Sequence, residues 1–393
     1  MQTITNYSSL QFKMLRIALG TYLFCHFAHL LTVGTELLSS SGIIPSANMN
    51  LSFPFFPNIL YFLDAPIWIT AFLATLALSS LCLVFNKLPR LNAAFLWYGF
   101  ACIFHRNNFI SNPSLFYIGW LLLAFVVIKG KEMPKLLFDG AWFITGLSYT
   151  ISGLHKLTTI SWQNGEALYH LLDNPLARNN MLVETLLDVP MPLLKLATWS
   201  VLLLEILAIV FVIVPKLRKY LWLGLTMLHL GILTTVNFAD LTLGMLVFQL
   251  FIFDTDWFKS KSKPSDMITL FYDSDCGVCN GFIRFIMDNN SKENIYFAPL
   301  ESKLGEKIIR KYGLENKDTM IVKKEDSVLI ESQAVLEVFS ELDSIYPVVS
   351  WLRFMPGFVR NAGYRLFAKY RHRVFKMETC VLLGERERGR FIG

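Results

Sequence analysis

The chain has 393 residues, of which 54% are hydrophobic and only 17% charged, and its formal net charge is +6 at pH 7. A composition this apolar excludes an ordinary soluble enzyme and favours a membrane protein. Most basic residues lie in short loops between apolar runs, which positive-inside anchoring explains without a nucleic-acid partner.

The composition changes once along the chain, and the change predicts two domains. Apolar runs of membrane-spanning length extend from Leu10 to Phe258, and charged residues recur every few positions after Lys259. We therefore predict a helical transmembrane domain over residues 1–258, a basic linker over 259–266 and a soluble domain over 267–393. With about 125 residues, the last has the size of a typical single domain.

The apolar runs predict a multi-pass membrane domain of about eight helices, because a bilayer span needs about 20 apolar residues. Some runs are short, so the count stays open by one or two. The proline-broken segment Leu51–Leu63 is expected to be re-entrant or interfacial. The predicted spans are Leu10–Val33, Pro66–Phe85, Leu91–Phe104, Pro113–Ile128, Trp142–Leu154, Met191–Val214, Leu221–Val236 and Leu241–Phe258.

Loop charges predict the orientation of these helices. If about eight helices alternate, the basic clusters fall on one side of the membrane. Both termini are then cytoplasmic in a multi-pass protein of an inner or plasma membrane. The clusters are Lys87/Arg90, Lys129/Lys131/Lys135, Lys216/Arg218/Lys219 and Lys259/Lys261/Lys263.

Ionisable residues within apolar runs are costly and face a partner or a cavity. Lys156 is either a base in an apolar pocket or a side chain that extends from a helix end to lipid headgroups. Glu205 and His229 either fix helix packing or take part in catalysis. His26 and His29 lie one turn apart, but without a third ligand we predict no metal site. The set also includes Arg16 and His155.

The stretch Ile151–Leu168 resembles the Gly-x-x-Lys-Leu…Trp…Gly signature of HTTM membrane domains, the group that includes the vitamin-K-dependent gamma-carboxylases. Further similarity lies in Leu15–Gly20 and Leu221–Val247, so that the resemblance extends over roughly residues 8–258. In the carboxylases the lysine of this signature deprotonates reduced vitamin K, and the matching residue is Lys156. The resemblance therefore implies a pocket for a quinone-like or other lipid-soluble substrate, with His155, Trp162, Glu205 and His229 as candidate binding residues.

Two departures from the carboxylases bear on activity. The carboxylases carry paired lysines where this chain has His155-Lys156. The chain also lacks the large lumenal domain that binds their protein substrates. Glutamate carboxylation is therefore not expected.

After the linker, the pattern predicts a thioredoxin-like α/β domain. Strand Met267–Tyr272 is followed by a Cys-x-x-Cys turn at Cys276 and Cys279, and then by helix Asn280–Asn290. In a cytosolic setting beside a βαβ unit, this spacing is typical of a redox pair. The later predicted elements are strand Ile295–Pro299, helix Lys303–Tyr312, strands Thr319–Lys323 and Ser327–Ile330, and helix Gln333–Leu342.

The run Tyr272-Asp-Ser-Asp-Cys-Gly-Val-Cys resembles the DCC family of thiol–disulfide oxidoreductases, whose hallmark is Tyr-Asp-x-Asp-Cys-x-x-Cys. Ala298-Pro-Leu, Glu331-Ser-Gln-Ala and Tyr364–Arg371 are similar as well, and Ser332 becomes a candidate substrate-binding residue. The resemblance covers most of Met267–Gly393. Gly277 stands where proline is more usual.

Chemistry assigns roles to the cysteines. Cys276 is the expected attacking thiolate, and Cys279 the thiol that resolves the mixed disulfide. Asp273 and Asp275 either transfer a proton, or Asp275 caps the helix. A zinc site would need His372 and Cys380 as well, and their spacing is not compact, so no metal is predicted.

The tail over residues 353–376 mixes Arg and Lys with Phe and Tyr. Such a helix either lies on anionic lipid or presents an ordinary solvated face.

The sequence thus predicts a membrane-anchored thiol–disulfide oxidoreductase. Its expected partners are membrane lipids and a disulfide partner protein or small thiol, with a quinone-like lipid as the one suggested cofactor. The competing hypothesis is a non-enzymatic transporter or lipid-binding protein with a redox-sensing cysteine domain. The predicted topology separates Lys156 from the thiols by about 30 Å of hydrocarbon, so direct relay is not expected.

Overall fold

A computed structural model describes residues 3–4, 7, 9–46, 49, 55–128, 133–257, 267–273, 277–315, 319–325, 327–343, 346–374 and 389–392. The chain divides into two compact units, Met1–Asp254 (unit 1) and Thr255–Gly393 (unit 2). Unit 1 is mostly helical, and unit 2 carries a small mixed sheet with helices.

The short strands of unit 1, β1 (Thr3–Ile4) and β2 (Met133–Pro134), pair antiparallel. Its α-helices are α1 (Ser9–Leu38), α2 (Pro66–Val84), α3 (Pro89–Arg106), α4 (Pro113–Val127), α5 (Lys135–Lys156), α6 (Ile160–Gln163), α7 (Ala167–Leu172), α8 (Met181–Leu187), α9 (Met191–Ile206), α10 (Ala208–Ile213), α11 (Arg218–Thr235) and α12 (Ala239–Ile252). Short 3-10 turns lie at Ile59–Tyr61, Asn108–Ile110 and Pro215–Leu217.

In the described part of the chain, two helices are both long and apolar enough to cross a bilayer, α1 from Leu10 and α2. Helices α8 and α9 satisfy the same criteria only as a pair, and they are bent by 107° at their junction. Helices α4 and α12 are apolar but shorter. Each of the eight predicted runs contains helix, yet two clear spans are fewer than the eight expected. The last run was predicted too long, since α12 ends at Ile252.

The helix ends of unit 1 follow simple local rules. Prolines stand in the first turn of α2, α3 and α4, where the missing N–H costs nothing. The side chain of Asn112 accepts a hydrogen bond from the backbone of Ser114 and caps α4. Arg16 donates to the carbonyls of Leu83 and Val84 at the end of α2, which accounts for a charged residue inside an apolar run.

Unit 2 contains β3 (Ile268–Tyr272), α13 (Gly277–Asp288), β4 (Ile295–Pro299), α14 (Lys303–Tyr312), β5 (Ile321–Lys324), β6 (Ser327–Ile330), α15 (Glu331–Glu341) and α16 (Gly357–Val374). A 3-10 segment, Tyr346–Phe354, connects α15 to α16, and another lies at Thr255–Trp257. The sheet order is β4-β3-β5-β6. β3 and β4 are parallel, with Ile268 opposite Ile295, whereas β5 is antiparallel to both β3 and β6.

The alternation of side chains along β3 divides the core of unit 2 into two layers. Ile268 and Leu270 pack with Ile286 of α13 and Val338 of α15. Phe271 points to the opposite face, into a second cluster that contains Ile308 of α14 and Ile321 of β5. Apolar residues on both faces thus explain why the sheet lies between helices.

The element order predicted for the soluble domain is confirmed, and the bounds differ by a few residues. Helix α13 begins at Gly277 rather than Asn280, so that it includes Cys279. Helix α15 begins at Glu331 rather than Gln333, and β5 at Ile321 rather than Thr319.

Candidate functional sites in the two units

Lys156, the last residue of α5, forms an ion pair with Glu205, the penultimate residue of α9. Its Nζ lies 2.5 Å from Oε1 and 2.5 Å from Oε2 of the carboxylate. The side chain of Glu205 is 3% exposed and that of Lys156 is 26% exposed. A carboxylate this buried needs a counter-charge. The ammonium therefore faces α9, where it supplies this counter-charge.

The glycines and the tryptophan of the Gly-x-x-Lys…Trp…Gly stretch serve this contact with α9. A Cβ on Gly153 would lie 2.8 Å from the backbone nitrogen of Ile206, so glycine lets α5 approach the end of α9. Gly165 has φ +82°, and a Cβ there would lie 2.9 Å from Lys195. The ring of Trp162 lies 4.9 Å from the Lys156 nitrogen.

A second buried pair lies on the same face of α5. The hydroxyl of Tyr149 and Nε2 of His229 are 2.5 Å apart, and both residues are buried. Tyr149 precedes Lys156 by seven residues, two helical turns. Glu205 and His229, which the sequence had singled out, thus each pair with a residue of α5. The sequence had not singled out Tyr149, although its spacing from Gly153 and Lys156 was the available signal.

Helix α9 breaks immediately beside this cluster. Leu207 separates α9 from α10, and the hydroxyl of Thr150 bridges the break. It donates to the carbonyl of Ile206 (3.2 Å) and accepts from the nitrogen of Ile209 (3.0 Å). A broken helix leaves backbone groups without their usual partners, and Thr150 supplies one.

The remaining histidines of the prediction lie elsewhere. The side chain of His155 is exposed, in contrast to the Lys156 pair. His26 binds Asp240 (Nδ1 to Oδ1, 2.7 Å), whose other oxygen accepts from Asn112, and His29 is exposed. Within the described ranges, no three His, Cys, Asp or Glu side chains converge as a metal site would require.

The glutamate that precedes α7 lies on the same connection as Trp162. Glu166 Oε1 is 3.2 Å from the Lys195 nitrogen, and Asn164 also donates to this carboxylate. The hydrogen bond from Lys195 lowers the pKa of Glu166. This half-buried pair joins the connection after α6 to α9.

The cysteine pair lies where β3 leads into α13. β3 ends at Tyr272, and α13 begins at Gly277. The backbone of Cys279 is therefore in the first helical turn. Ser274, Asp275 and Cys276 lie outside the described residues, as does the side chain of Cys279. The free N–H groups of a helix N-terminus favour a thiolate, so the start of α13 suits a reactive cysteine.

Helix α13 is held firmly against α15. Phe282 and Phe285 both lie about 6 Å from the ring of Phe339, with Phe282 6.0 Å and Phe285 6.1 Å away. Tyr346 contacts Phe285 edge-on, with ring centroids 4.7 Å apart. Burial raises the pKa of Tyr346. This aromatic packing gives the start of the helix a rigid support.

Asp273 directly follows β3 and is half-buried. The parallel strands β3 and β4 end together here, since Tyr272 lies opposite Pro299 and its carbonyl accepts from the nitrogen of Leu300 (2.9 Å). Ligand sites in α/β sheets are usual at the carboxyl ends of parallel strands. The same edge of the sheet therefore carries Asp273 and leads into α13.

Residues 270–377 match the family model of the DCC1-like thiol-disulfide oxidoreductases. A chloroplastic DCC family protein of Arabidopsis thaliana is 29% identical over 134 residues, which are 32% of this chain and 78% of that protein. The uncharacterized protein YuxK of Bacillus subtilis (strain 168) is 29% identical over 126 residues, 31% of this chain and 92% of YuxK. No solved structure matches the chain.

In this DCC1-like region, the start of α15 is tied to α16. Ser332 is buried, and its hydroxyl donates to Asn361 Oδ1 of α16. Glu331 has φ +53°, a left-handed conformation that is uncommon for a residue with a side chain. Its carboxylate binds Arg365 (3.0 Å), and this contact raises the pKa of Arg365. Ser332 was thus predicted to lie in a site, whereas its partners in α16 were not.

The basic tail is partly described. Arg365 pairs with Glu331, and Arg353 donates to the carbonyl of Ser350. Phe354 and Phe358 are 79% and 78% exposed, so the DCC1-like region presents large apolar side chains beside its basic ones. Lys376 and Cys380 lie outside the described residues, as does the side chain of His372.

Proposed function

We propose that this protein is a membrane-anchored thiol–disulfide oxidoreductase whose redox pair is Cys276 and Cys279. The observation that carries the proposal is the DCC1-like match over residues 270–377, the region in which this pair meets the start of α13. The β-α-β-α-β-β-α order and the mixed sheet of the same region support a thioredoxin-like interpretation of the fold.

The reaction is a two-electron exchange. The Cys276 thiolate attacks one sulfur of a substrate disulfide, forming a mixed disulfide and releasing the other sulfur as a thiolate that takes up a proton. The Cys279 thiolate then attacks Cys276 Sγ, which closes the intramolecular disulfide and releases the second substrate thiol. The substrate gains two electrons and two protons, and the enzyme dithiol loses them. A small thiol or a dithiol partner protein restores the reduced pair.

The test is turnover of a disulfide by the full chain in lipid nanodiscs. The wild type is expected to reduce a dye-labelled peptide disulfide with glutathione as the reductant. In a single turnover without glutathione, pre-reduced Cys279→Ser should accumulate a mixed disulfide that mass spectrometry assigns to Cys276, because the resolving thiol is missing. Cys25→Ser, at an exposed cysteine of unit 1, is the matched control and should behave as wild type.

The competing hypothesis is a redox sensor attached to a transporter or a lipid-binding protein. A sensor would undergo one stoichiometric oxidation of the pair without turnover. Sustained turnover that depends on Cys276 therefore separates the two hypotheses. A wild-type protein that never exceeds one equivalent of reduced substrate contradicts the enzymatic proposal.

Membrane anchoring belongs to the same proposal. The lengths and apolarity of α1 and α2 support at least two spans, and the loop charges suggest a multi-pass arrangement with both termini in the cytoplasm. An anchored protein should stay in the pellet after alkaline carbonate extraction. A membrane-impermeant maleimide should label cysteines engineered at Lys259 only after the cytoplasmic face is opened.

A second proposal concerns the membrane unit and rests on the Lys156–Glu205 pair. A lysine acts as a base only after it gives up a proton, and the Glu205 oxygens lie within transfer distance at 2.5 Å. The pair would then handle a lipid-soluble, quinone-like substrate as one acid–base unit. Lipids that copurify with the wild type but not with Lys156→Ala would support this. Lys195→Ala, which breaks the half-buried pair with Glu166, is the control. Identical lipid profiles in all three proteins contradict it.

A further inference from the structure

Unit 2 contains an apolar cavity that no part of the proposed exchange uses. Its volume is about 550 Å³, within the range of cavities that hold small ligands. It lies among α15, the 3-10 segment Tyr346–Phe354 and α16. Apolar side chains form most of its wall, among them Phe282, Val335, Val349, Leu352, Val359 and Phe367.

One charged group interrupts this wall. Arg360 of α16 lines the cavity, and its Nε is buried without a hydrogen-bond partner among the described residues. The neighbouring arginines have hydrogen-bond partners within the protein: Arg353 donates to the carbonyl of Ser350, and Arg365 binds Glu331. A buried, unpaired guanidinium N–H is costly, and an anionic oxygen would remove that cost.

Ser332 and Tyr364 are the uncharged polar residues of the wall, and neither supplies a positive charge. The Ser332 hydroxyl donates its hydrogen to Asn361, so it has no second hydrogen to offer a ligand. The Tyr364 hydroxyl accepts from the nitrogen of Met320 and from the hydroxyl of Thr319, so its own hydrogen can reach a ligand, but the group carries no charge. Recognition of a charge in this cavity therefore depends on Arg360.

We propose that this cavity binds a single acyl chain that ends in a carboxylate, with the chain among the apolar side chains and the carboxylate on Arg360. A single guanidinium balances a single negative charge, which suits a carboxylate better than a phosphate monoester with nearly two. The exposed rings of Phe354 and Phe358 lie on the elements that line the cavity and suit an entrance from a lipid surface.

The site adjoins the helix that carries the cysteine pair. Phe282 lies three residues after Cys279 on α13, and a bound chain would contact that residue. The inference concerns binding alone and does not depend on the redox activity of the cysteines.

The experiment uses the full chain in phosphatidylcholine nanodiscs and a photoactivatable twelve-carbon fatty acid. Cross-linked residues are identified by mass spectrometry, and unlabelled dodecanoate and dodecanol compete for the site. We expect cross-links on α15 and α16, and competition by dodecanoate at concentrations at least about tenfold lower than by dodecanol.

Two variants and one control complete the design. Arg360→Gln should remove the preference for the carboxylate while the apolar chain still binds. Val335→Trp should fill the cavity and abolish the cross-links. Arg353→Gln removes an exposed arginine of the 3-10 segment that does not line the cavity, and it should leave both the preference and the cross-links unchanged. If Val335→Trp fails to fold, the Arg360→Gln comparison decides, because that variant keeps the apolar wall.

Three results would overturn the inference. One is equal competition by acid and alcohol in the wild type. Another is cross-linking confined to the helices of unit 1. The third is cross-linked peptides that join the cavity residues to another copy of the chain, which would identify a protein as the occupant.

Discussion

The two units place their chemistry in opposite ways. In unit 2 the proposed redox pair spans four consecutive residues at the junction of β3 and α13, so neighbouring positions carry the whole signal. In unit 1 the paired groups are far apart along the chain: Lys156 and Glu205 by 49 residues, Tyr149 and His229 by 80, and His26 and Asp240 by 214. Reactive residues that are close in sequence can be recognised as a motif. Residues that are far apart in sequence form a pair only when helix packing brings them together.

The sharpest test of this contrast asks whether the two units act independently. In the full chain, Cys276→Ser should lower disulfide turnover by at least about 10³-fold, because it removes the nucleophile. Lys156→Met should leave turnover within about twofold. Both rates come from the same peptide-disulfide assay. A large loss of turnover in Lys156→Met would mean that the Lys156–Glu205 pair contributes to the reaction of the cysteine pair.

The Lys156–Glu205 pair should dominate the stability of unit 1. Glu205→Ala leaves the Lys156 ammonium without its counter-charge, and we expect a loss of about 3 kcal/mol in the free energy of unfolding. Glu184→Ala, at an exposed position of α8, should change it by less than about 0.5 kcal/mol. Denaturation followed by tryptophan fluorescence in detergent measures both variants. Adding Lys156→Met to Glu205→Ala should recover part of the loss, and a purely additive double mutant would argue that the two side chains do not interact.

The close approach of α5 to α9 should be sensitive to a single methyl group. Gly153→Ala would put a Cβ 2.8 Å from the backbone nitrogen of Ile206, and we expect a destabilisation of about 1–3 kcal/mol. Gly231→Ala in α11 is the matched control, since no atom lies within 4 Å of its added Cβ. Alanine is the better helix former, so this control should be neutral or stabilising by about 0.5–1 kcal/mol. Equal melting temperatures for the two variants would contradict the packing described for Gly153.

The smallest effect is expected at the half-buried Glu166–Lys195 pair, where water still screens the two charges. The pKa of Glu166 is lowered in the folded chain, so its contribution to stability is fully present above the ordinary glutamate pKa of 4.5. This contribution disappears as the pH falls below 4.5 and through the lowered pKa. Lys195→Met should therefore reduce the melting temperature slightly at pH 7 and have less effect near pH 3. A difference from wild type that grows on acidification would reverse the sign and refute this assignment.

Much of unit 2 could be predicted because its signals are local. The short apolar run of β3, the Cys-x-x-Cys spacing and the order of later elements all lie within short windows. The start of α13 was predicted three residues too late, because glycine and cysteine are weak helix formers that tertiary packing overrides. The cavity and Arg360 had no local signal, since the cavity wall combines residues of α13, α15, the 3-10 segment Tyr346–Phe354 and α16.

Unit 1 was predictable in type and less so in detail. Apolar composition indicated helices correctly, but short apolar helices such as α4 and α12 resemble spans in a hydropathy pattern. Arg16 and Glu205 look like isolated charges in the sequence. Their partners, the Leu83 carbonyl and Lys156, lie too far along the chain for a local pattern to reveal them.

The amino-acid sequence by itself determined the division between an apolar and a polar half and the position of the Cys-x-x-Cys motif directly after an apolar strand, because both depend on neighbouring residues. Tertiary structure alone decided which group pairs with each buried charge. The reason is physical: a carboxylate removed from water takes the nearest cation that helix packing brings to it, and that cation lies dozens of residues away.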